Sequence, residues 1–262
     1  MAGTDGAGSI RPQPRTWSRY VALGDSMTEG LGDPGPDGGL IGWADRLAAL
    51  LSAHSDEFSY ANLAIRGRKL SDIAGPQIEV GLELGRGDGP LRPGAAPDAL
   101  AAQLEEGIAR IRATGADVLM ATPADPAGAP IVERTRGRAA IYLAHLWSIA
   151  ERQGAYLMNQ WSFAFLRDWR MWEPDRIHMS SEGHRRVALA AYETPGHTAA
   201  EAHWRIPLPP QPKPGRLEAL RENVVWAREY AAPWVGRRLK GRSSGDNVPP
   251  KRPELGPPLH PG

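Results

Sequence analysis

The chain lacks several features that would define its chemistry by themselves. It contains no cysteine, which excludes disulfides, thiol catalysis and thiolate metal sites. It has almost no net charge, because 31 basic residues balance 30 acidic ones, so it lacks the basic field of a nucleic-acid-binding protein. No stretch approaches the roughly 18 consecutive apolar residues of a membrane span, and no histidine pair has metal-ligand spacing with a carboxylate. We therefore expect no metal, no nucleic acid partner and no integral membrane segment.

The N-terminal segment also lacks the apolar region of a secretory signal. Residues 1–17 are rich in glycine and proline and are predicted to form a flexible leader. The expected location is therefore the cytoplasm. With 41% hydrophobic residues in a 262-residue chain, the remainder can bury a sizeable core.

The most informative stretch that is present is YVALGDSMTEG at 20–30. Its apolar run ends abruptly in Gly24, Asp25 and Ser26, as expected for a strand that is buried on both faces of a parallel sheet. Ser26 would then leave the carboxyl end of the strand, where open α/β sheets bind ligands. Its hydroxyl is a candidate nucleophile. The alternative is that Ser26 lies in a strand-ending turn and only caps a helix.

Further apolar runs alternate with helical periodicities along the chain. This alternation predicts a parallel sheet with helices on both faces. The predicted strands are at 20–26, 60–65, 117–121 and 155–161, and the predicted helices are at 43–51, 71–84, 97–113, 131–153 and 182–192. One gap stands out, because the only strand candidate between 60–65 and 117–121 is 80–84, which fits the end of a helix equally well.

The composition changes after the last of these helices. A proline-rich linker at 206–215 precedes a predicted helix at 217–234, and the tail that follows is basic and then proline-rich. We expect this tail to be poorly packed. The predicted organisation is a main domain at 18–195 followed by an extension at 196–262.

Two residues near the C-terminal end of the predicted domain complete a candidate catalytic set. Asp175 and His178 lie three residues apart, so in a tight turn the carboxylate can orient the imidazole while the other ring nitrogen faces a nucleophile. Together with Ser26 they supply a nucleophile, a base and an orienting carboxylate. His184 falls within the helix predicted at 182–192 and is expected at the surface or the edge of the core.

With these motifs in view, the chain resembles the SGNH or GDSL-like hydrolases, especially an actinobacterial cytoplasmic-type branch. The matching blocks are GDSMTEG with Ser26, NLAIRGRKL with Gly67, and DRIHMSSEGHRRVA with Asp175 and His178. The resemblance implies a flavodoxin-like three-layer α/β/α fold and ester hydrolysis without a cofactor. It also implies an oxyanion hole formed by the amides of Ser26 and Gly67 and by an asparagine side chain from a third block.

The third block is where the chain departs from this family. The family pattern is Gly-x-Asn-Asp, and its best match here, GRGD at 85–88, places Gly87 at the asparagine position. The strand that feeds this block in relatives is also missing from the sequence pattern, so the sheet is predicted to lack one central strand. Thr122 or Arg86 are alternative donors.

These observations leave two hypotheses about function. The first is a serine esterase acting on a small-molecule or lipid ester, with Trp169 and Trp172 lining its acyl or alcohol pocket. In the alternative interpretation of these tryptophans, they are core aromatics. The second hypothesis is a catalytically impaired homologue that acts as a binding or scaffold protein, and Gly87 and the missing strand favour it.

Overall fold

The strands of the computed structural model are short and lie in two groups. The model describes residues 14–68, 73, 77–78, 97–129, 132–212, 215–233, 236 and 244–259. Within these ranges the strands are β1 (Arg19–Ala22), β2 (Ser59–Asn62), β3 (Leu119–Ala121), β4 (Tyr156–Met158) and β5 (Arg252–Gly256).

Helices separate most of these strands. They are α1 (Ser26–Glu29), α2 (Trp43–Ser52), α3 (Pro97–Ala113), α4 (Arg136–Gln153), α5 (Ser181–Glu193) and α6 (Arg216–Trp226), and the last continues as a π-helical turn over Ala227–Ala231. Short 3₁₀ turns fill most of the segment between β4 and α5. No helix of the described ranges has the length and apolar character that a membrane crossing requires.

The strand pairing is mostly parallel, as predicted, but the described strands form two separate sheets and not the single predicted one. β1 pairs in parallel with β2, and β3 pairs in parallel with β4, whereas β5 adds to the other side of β2 in the antiparallel direction. The predicted α/β class is therefore confirmed. The paired strands are shorter than the apolar runs, because the runs at 20–26 and 60–65 continue as loop after the ladder ends. The three-layer sandwich and the missing central strand stay predictions, since the candidate strand at 80–84 lies outside the described residues.

Two hydrophobic clusters hold the fold together, one over each pair of parallel strands. The larger one packs α2 and α5 against β1 and β2, with Leu47, Tyr60 and Val187 almost fully buried. The smaller one packs α3 and α4 against β3 and β4 through Ile108 and Ile149, among others. Burying such side chains stabilises the fold by about 1.5–3 kcal/mol each. The space between the two clusters becomes the site described below.

The C-terminal tail is better packed than the sequence predicts. β5 covers the outer edge of β2, and the Lys251 ammonium just before it lies 2.5 Å from the buried Asp45 carboxylate and also donates to the Leu40 and Ile41 carbonyls. Burial nevertheless raises the pKa of Asp45 to about 6. The prediction of a poorly packed tail is therefore wrong over residues 251–256, because a strand edge and a buried carboxylate both need partners.

The boundary of the predicted leader also meets the fold. Arg15 and Trp17 donate hydrogen bonds to the Asp117 carboxylate at 3.0–3.2 Å. Residues 1–13 lie outside the described residues, so the flexible leader stays a prediction for them. The last residues of the range 1–17 belong to the packed structure.

His184 lies in the core, so its predicted position at the surface or core edge is wrong. Its side chain is fully buried, Nδ1 accepts from the Trp43 amide at 3.1 Å, and Nε2 donates to the Leu31 carbonyl at 2.9 Å. This pattern requires the neutral imidazole. Burial lowers the pKa of His184 from 6.5 to about 4, against the opposing effect of the Leu31 carbonyl.

This buried histidine predicts an acid-sensitive fold. A depressed histidine pKa stabilises the folded state fully above the unfolded value and progressively less as pH falls from 6.5 towards 4, with a total loss of about 3 kcal/mol. His184→Gln, whose amide can keep both hydrogen bonds, should remove this component. Denaturant unfolding of both proteins across this pH range measures the difference, and parallel stability curves would contradict the prediction.

Candidate active site

Ser26 lies at the start of a short helical turn directly after β1. Asp25 caps this turn, since its carboxylate accepts from the Met27 amide at 3.0 Å. Gly24 has a φ of +155°, and a Cβ there would lie 2.4 Å from Oγ1 of Thr28, so only glycine fits. The sequence Gly-Asp-Ser thus turns the chain within three residues and leaves Ser26 half-buried at the end of the strand.

The turn of Ser26 is tied to the loop that contains Gly67. Glu29, at the end of the turn, accepts from the Arg66 amide at 2.6 Å and from its guanidinium at 2.5–2.9 Å. Asn62 adds a second link, because its side-chain amide donates to the Thr28 carbonyl at 2.9 Å. Gly67 follows with a φ of +73°, in the left-handed region that favours glycine. The two segments that carry the predicted oxyanion amides are therefore held together by an ion pair between the buried Glu29 and the half-buried Arg66.

Gln77 also supports the turn of Ser26, although no motif in the sequence marks this residue. Its side-chain Oε1 accepts from the Gly24 amide at 2.7 Å, and its Nε2 donates to the Gly24 carbonyl at 2.8 Å. On the β2 side, the Gly24 carbonyl also accepts from the Ile65 amide at 3.2 Å. One buried side chain thus makes both hydrogen bonds that a neighbouring strand would offer to Gly24.

Asp175 and His178 come together as the sequence predicts. Oδ2 of Asp175 lies 2.6 Å from Nδ1 of His178, and Oδ1 accepts from the backbone amides of Ile177 and His178 at 2.8 and 2.9 Å. Burial alone would raise the pKa of Asp175, but the hydrogen bonds from His178 and Ile177 outweigh it and lower that pKa. An ionised carboxylate therefore faces Nδ1 and leaves Nε2 for another partner.

Ser26 lies at the wall of a cavity of about 710 Å³. The cavity runs between the two hydrophobic clusters, and Ile177 and Met179, on either side of His178, line it too. The Ser26 hydroxyl has no hydrogen-bond partner within the described part of the chain. Catalytic hydrogen bonds are often long in a protein without its substrate, so the arrangement is compatible with a nucleophile and base that meet across the cavity.

Most of the cavity wall is apolar. It includes Trp169 and Trp172, as the pocket hypothesis for these residues requires, although Trp172 also packs against the larger hydrophobic cluster. The apolar side chains from α3, β3 and α4 include Leu104, Ile108, Ile111, Met120, Tyr142 and Leu146.

Of the candidates for the third oxyanion donor, only Thr122 lies in the described residues. Thr122 lines the cavity, but its hydroxyl already donates to the Pro123 carbonyl and accepts from the Trp161 amide. Gly87 and Arg86 lie outside the described residues. In the described ranges, no group of three histidine or acidic side chains could hold a metal ion.

Comparison with known proteins identifies the family of the chain. A family model described as the GDSL-like lipase/acylhydrolase family matches residues 22–186, more than half of the chain. The match includes Ser26, Gly67, Asp175 and His178. The chain belongs to this family and is a hydrolase of ester bonds. A search of curated protein sequences found no match.

Solved structures of esterases share the fold. A psychrotrophic esterase from Pseudoalteromonas sp. is 16% identical with a TM-score of 0.51, over 68% of this chain and 96% of its own. A catalytic mutant of an acetylxylan esterase from Geobacillus stearothermophilus is 18% identical with a TM-score of 0.53, over 71% and 98%. A lipase/acylhydrolase from Enterococcus faecalis is 17% identical with a TM-score of 0.52, over 67% and 94%. At these identities the likeness concerns the fold alone.

The role of Gln77 can be tested by substitution. Gln77→Leu keeps the approximate volume but leaves the buried Gly24 amide without its hydrogen bond, at a cost of about 1–3 kcal/mol, while the Gly24 carbonyl keeps the bond from the Ile65 amide. We expect a lower free energy of unfolding and a reduced kcat for ester hydrolysis, with little change in KM. Denaturant unfolding and steady-state kinetics measure these quantities.

The matched control is Gln153→Leu, which removes a hydrogen bond to Glu105 far from the turn of Ser26. It should leave kcat unchanged. If Gln77→Leu has the stability and kcat of the control, Gln77 does not hold the turn.

Proposed function

We propose that the chain is a serine esterase in which Ser26, His178 and Asp175 form a catalytic triad. One observation carries the proposal: the ionised Asp175 holds Nδ1 of His178 at 2.6 Å, next to a cavity whose wall contains Ser26. A carboxylate in this position fixes the tautomer of the imidazole and stabilises its protonated form.

The proposed reaction has two stages. Nε2 of His178 accepts the proton of the Ser26 hydroxyl as Oγ attacks the ester carbonyl, and the imidazolium then protonates the departing alcohol. Water, deprotonated by the same imidazole, attacks the acyl-enzyme and releases the carboxylic acid. This scheme needs no cofactor.

The oxyanion hole in this proposal consists of the backbone amides of Ser26 and Gly67. Neither amide has a hydrogen-bond partner in the ranges that the structure describes, so both are free to donate to a developing oxyanion. The ion pair between Glu29 and Arg66 restrains the distance between their segments, and such preorganised donors are usually the largest single contribution to catalysis of this kind.

The cavity supports an ester with an apolar portion. Its walls bring aliphatic and aromatic side chains from both hydrophobic clusters within reach of Ser26, and its volume lies in the range of small-molecule sites. We propose a small-molecule or lipid ester as the substrate.

The second candidate function is an impaired homologue that binds an ester without turning it over. One observation favours it: glycine stands at position 87, where the family pattern has asparagine. Loss of one oxyanion donor costs about 10²–10³ in kcat. Reaction of Ser26 with a fluorophosphonate without hydrolysis of p-nitrophenyl acetate would support this candidate.

Ser26→Ala tests the nucleophile. This change should abolish both p-nitrophenyl acetate hydrolysis and fluorophosphonate labelling while leaving the melting temperature nearly unchanged, because the hydroxyl has no partner to lose among the described residues. Ser148→Ala, at a half-buried serine on α4 whose hydroxyl donates only within its own helix turn to the Ala144 carbonyl, is the matched control and should retain both activities. Hydrolysis at the parental rate in Ser26→Ala would remove Ser26 from the mechanism.

Asp175→Asn tests the orienting carboxylate. The amide would favour the wrong imidazole tautomer, so kcat should fall by something on the order of 10⁴. The exposed Asp37, whose carboxylate accepts from the Gly39 amide at 3.0 Å, provides the control Asp37→Asn. Equal rates in the two variants would assign Asp175 a purely structural role in its turn.

A further inference from the structure

Arg176, between the two residues of the catalytic pair, has an unusual backbone. Its φ is +58°, in the left-handed region that residues other than glycine rarely occupy. The strain is tied to function here, since the turn lets Asp175 reach both the side chain and the amide of His178. Strained residues of this kind cluster at functional sites.

The Arg176 guanidinium is held in place by neutral groups. Its centre lies 5.4 Å from the ring of Trp169 and 5.4 Å from the ring of Trp226, and Nη1 donates to Oδ1 of Asn223 at 2.6 Å. Cation–π contacts of this kind orient a guanidinium without neutralising it. Arg176 also belongs to the wall of the cavity that contains Ser26.

Arg167, a second cation of the same cavity wall, is paired with a carboxylate, unlike Arg176. Arg167 donates to Oδ2 of the buried Asp125 at 2.9 Å, and Arg136 donates to the same carboxylate at 2.7 Å. By contrast, no carboxylate of the described residues lies within ion-pair distance of Arg176. A guanidinium carries five N–H donors, so Arg176 keeps donors and a full charge for a ligand.

We infer that Arg176 binds an anionic group of the substrate, so that the preferred ester carries a carboxylate in addition to its apolar portion. A guanidinium binds a carboxylate through two parallel hydrogen bonds, and the rings of Trp169 and Trp226 set its orientation in advance. The inference rests on the proposed esterase function and adds the charge of the substrate to it.

A structural role is the competing explanation. Trp226 donates to the Asp175 carbonyl at 2.9 Å, so Arg176 and Trp226 together connect α6 to the catalytic turn. If that connection is the only role of Arg176, its loss affects all esters equally. If Arg176 binds an anion, its loss affects anionic esters selectively.

The test compares two pairs of esters of matched size. On the acyl side the pair is mono-4-nitrophenyl adipate and 4-nitrophenyl hexanoate, and on the alcohol side it is 4-acetoxybenzoate and phenyl acetate. Arg176→Asn removes the charge with a residue that tolerates the left-handed region, and Arg176→Lys keeps the charge but not the fork. In at least one pair, Arg176→Asn should lower the anionic-to-neutral ratio of kcat/KM by about tenfold or more, and Arg176→Lys by less.

Arg167→Asn is the matched control, because it removes a paired cation from the same cavity wall, and it should keep the wild-type ratio. Added salt should lower the wild-type ratio and leave that of Arg176→Asn unchanged. The inference is overturned if both ratios in Arg176→Asn equal those of the wild type.

A binding measurement separates this outcome from failure of the esterase proposal. In the Ser26→Ala background, calorimetry gives dissociation constants for the same esters without turnover. Weaker binding of the anionic member alone after Arg176→Asn supports the anion site even if the wild type hydrolyses neither ester. Equal binding of both members with and without Arg176 overturns it.

Discussion

The active site depends on how the backbone of Gly24 is hydrogen-bonded at the end of β1. The Ile65 amide reaches the Gly24 carbonyl from the β2 side, and the side chain of Gln77 holds its amide and carbonyl through a second pair of contacts. Because the turn that presents Ser26 begins at the next residue, its direction follows from these three bonds. The Gln77 side chain can replace the backbone of a neighbouring strand because an amide group carries both an N–H donor and a carbonyl acceptor, as a peptide group does.

Charge around the site follows a consistent rule. The buried carboxylates of Glu29 and Asp125 each bind arginine, which offsets the cost of removing them from water. Asp175 is stabilised instead by backbone amides and the imidazole. Arg176 is the exception, since the groups around it in the described structure are aromatic or neutral. An anionic ligand binds such a guanidinium most favourably, because it does not have to displace a carboxylate of the protein.

The sequence singles out the candidate catalytic residues more readily than the residues that support them. Ser26, Asp175 and His178 lie in short motifs whose spacing has a direct chemical meaning. Gln77 looks like any polar residue of a helical segment, and its role depends on a contact with Gly24 that no local pattern encodes. The strand at Arg252–Gly256 contains a proline and two charged residues, so its composition argues against a strand, and only the exposed edge of β2 explains it.

That edge strand joins two segments that lie far apart in the sequence. β2 becomes an internal strand only when residues far along the sequence return to it, and Lys251 then supplies the cation that the buried Asp45 faces. Contacts between such distant segments close a large loop and form slowly. During synthesis, the outer edge of β2 therefore has no β5 to pair with until residues 252–256 have been made, and in that interval it can pair with other chains.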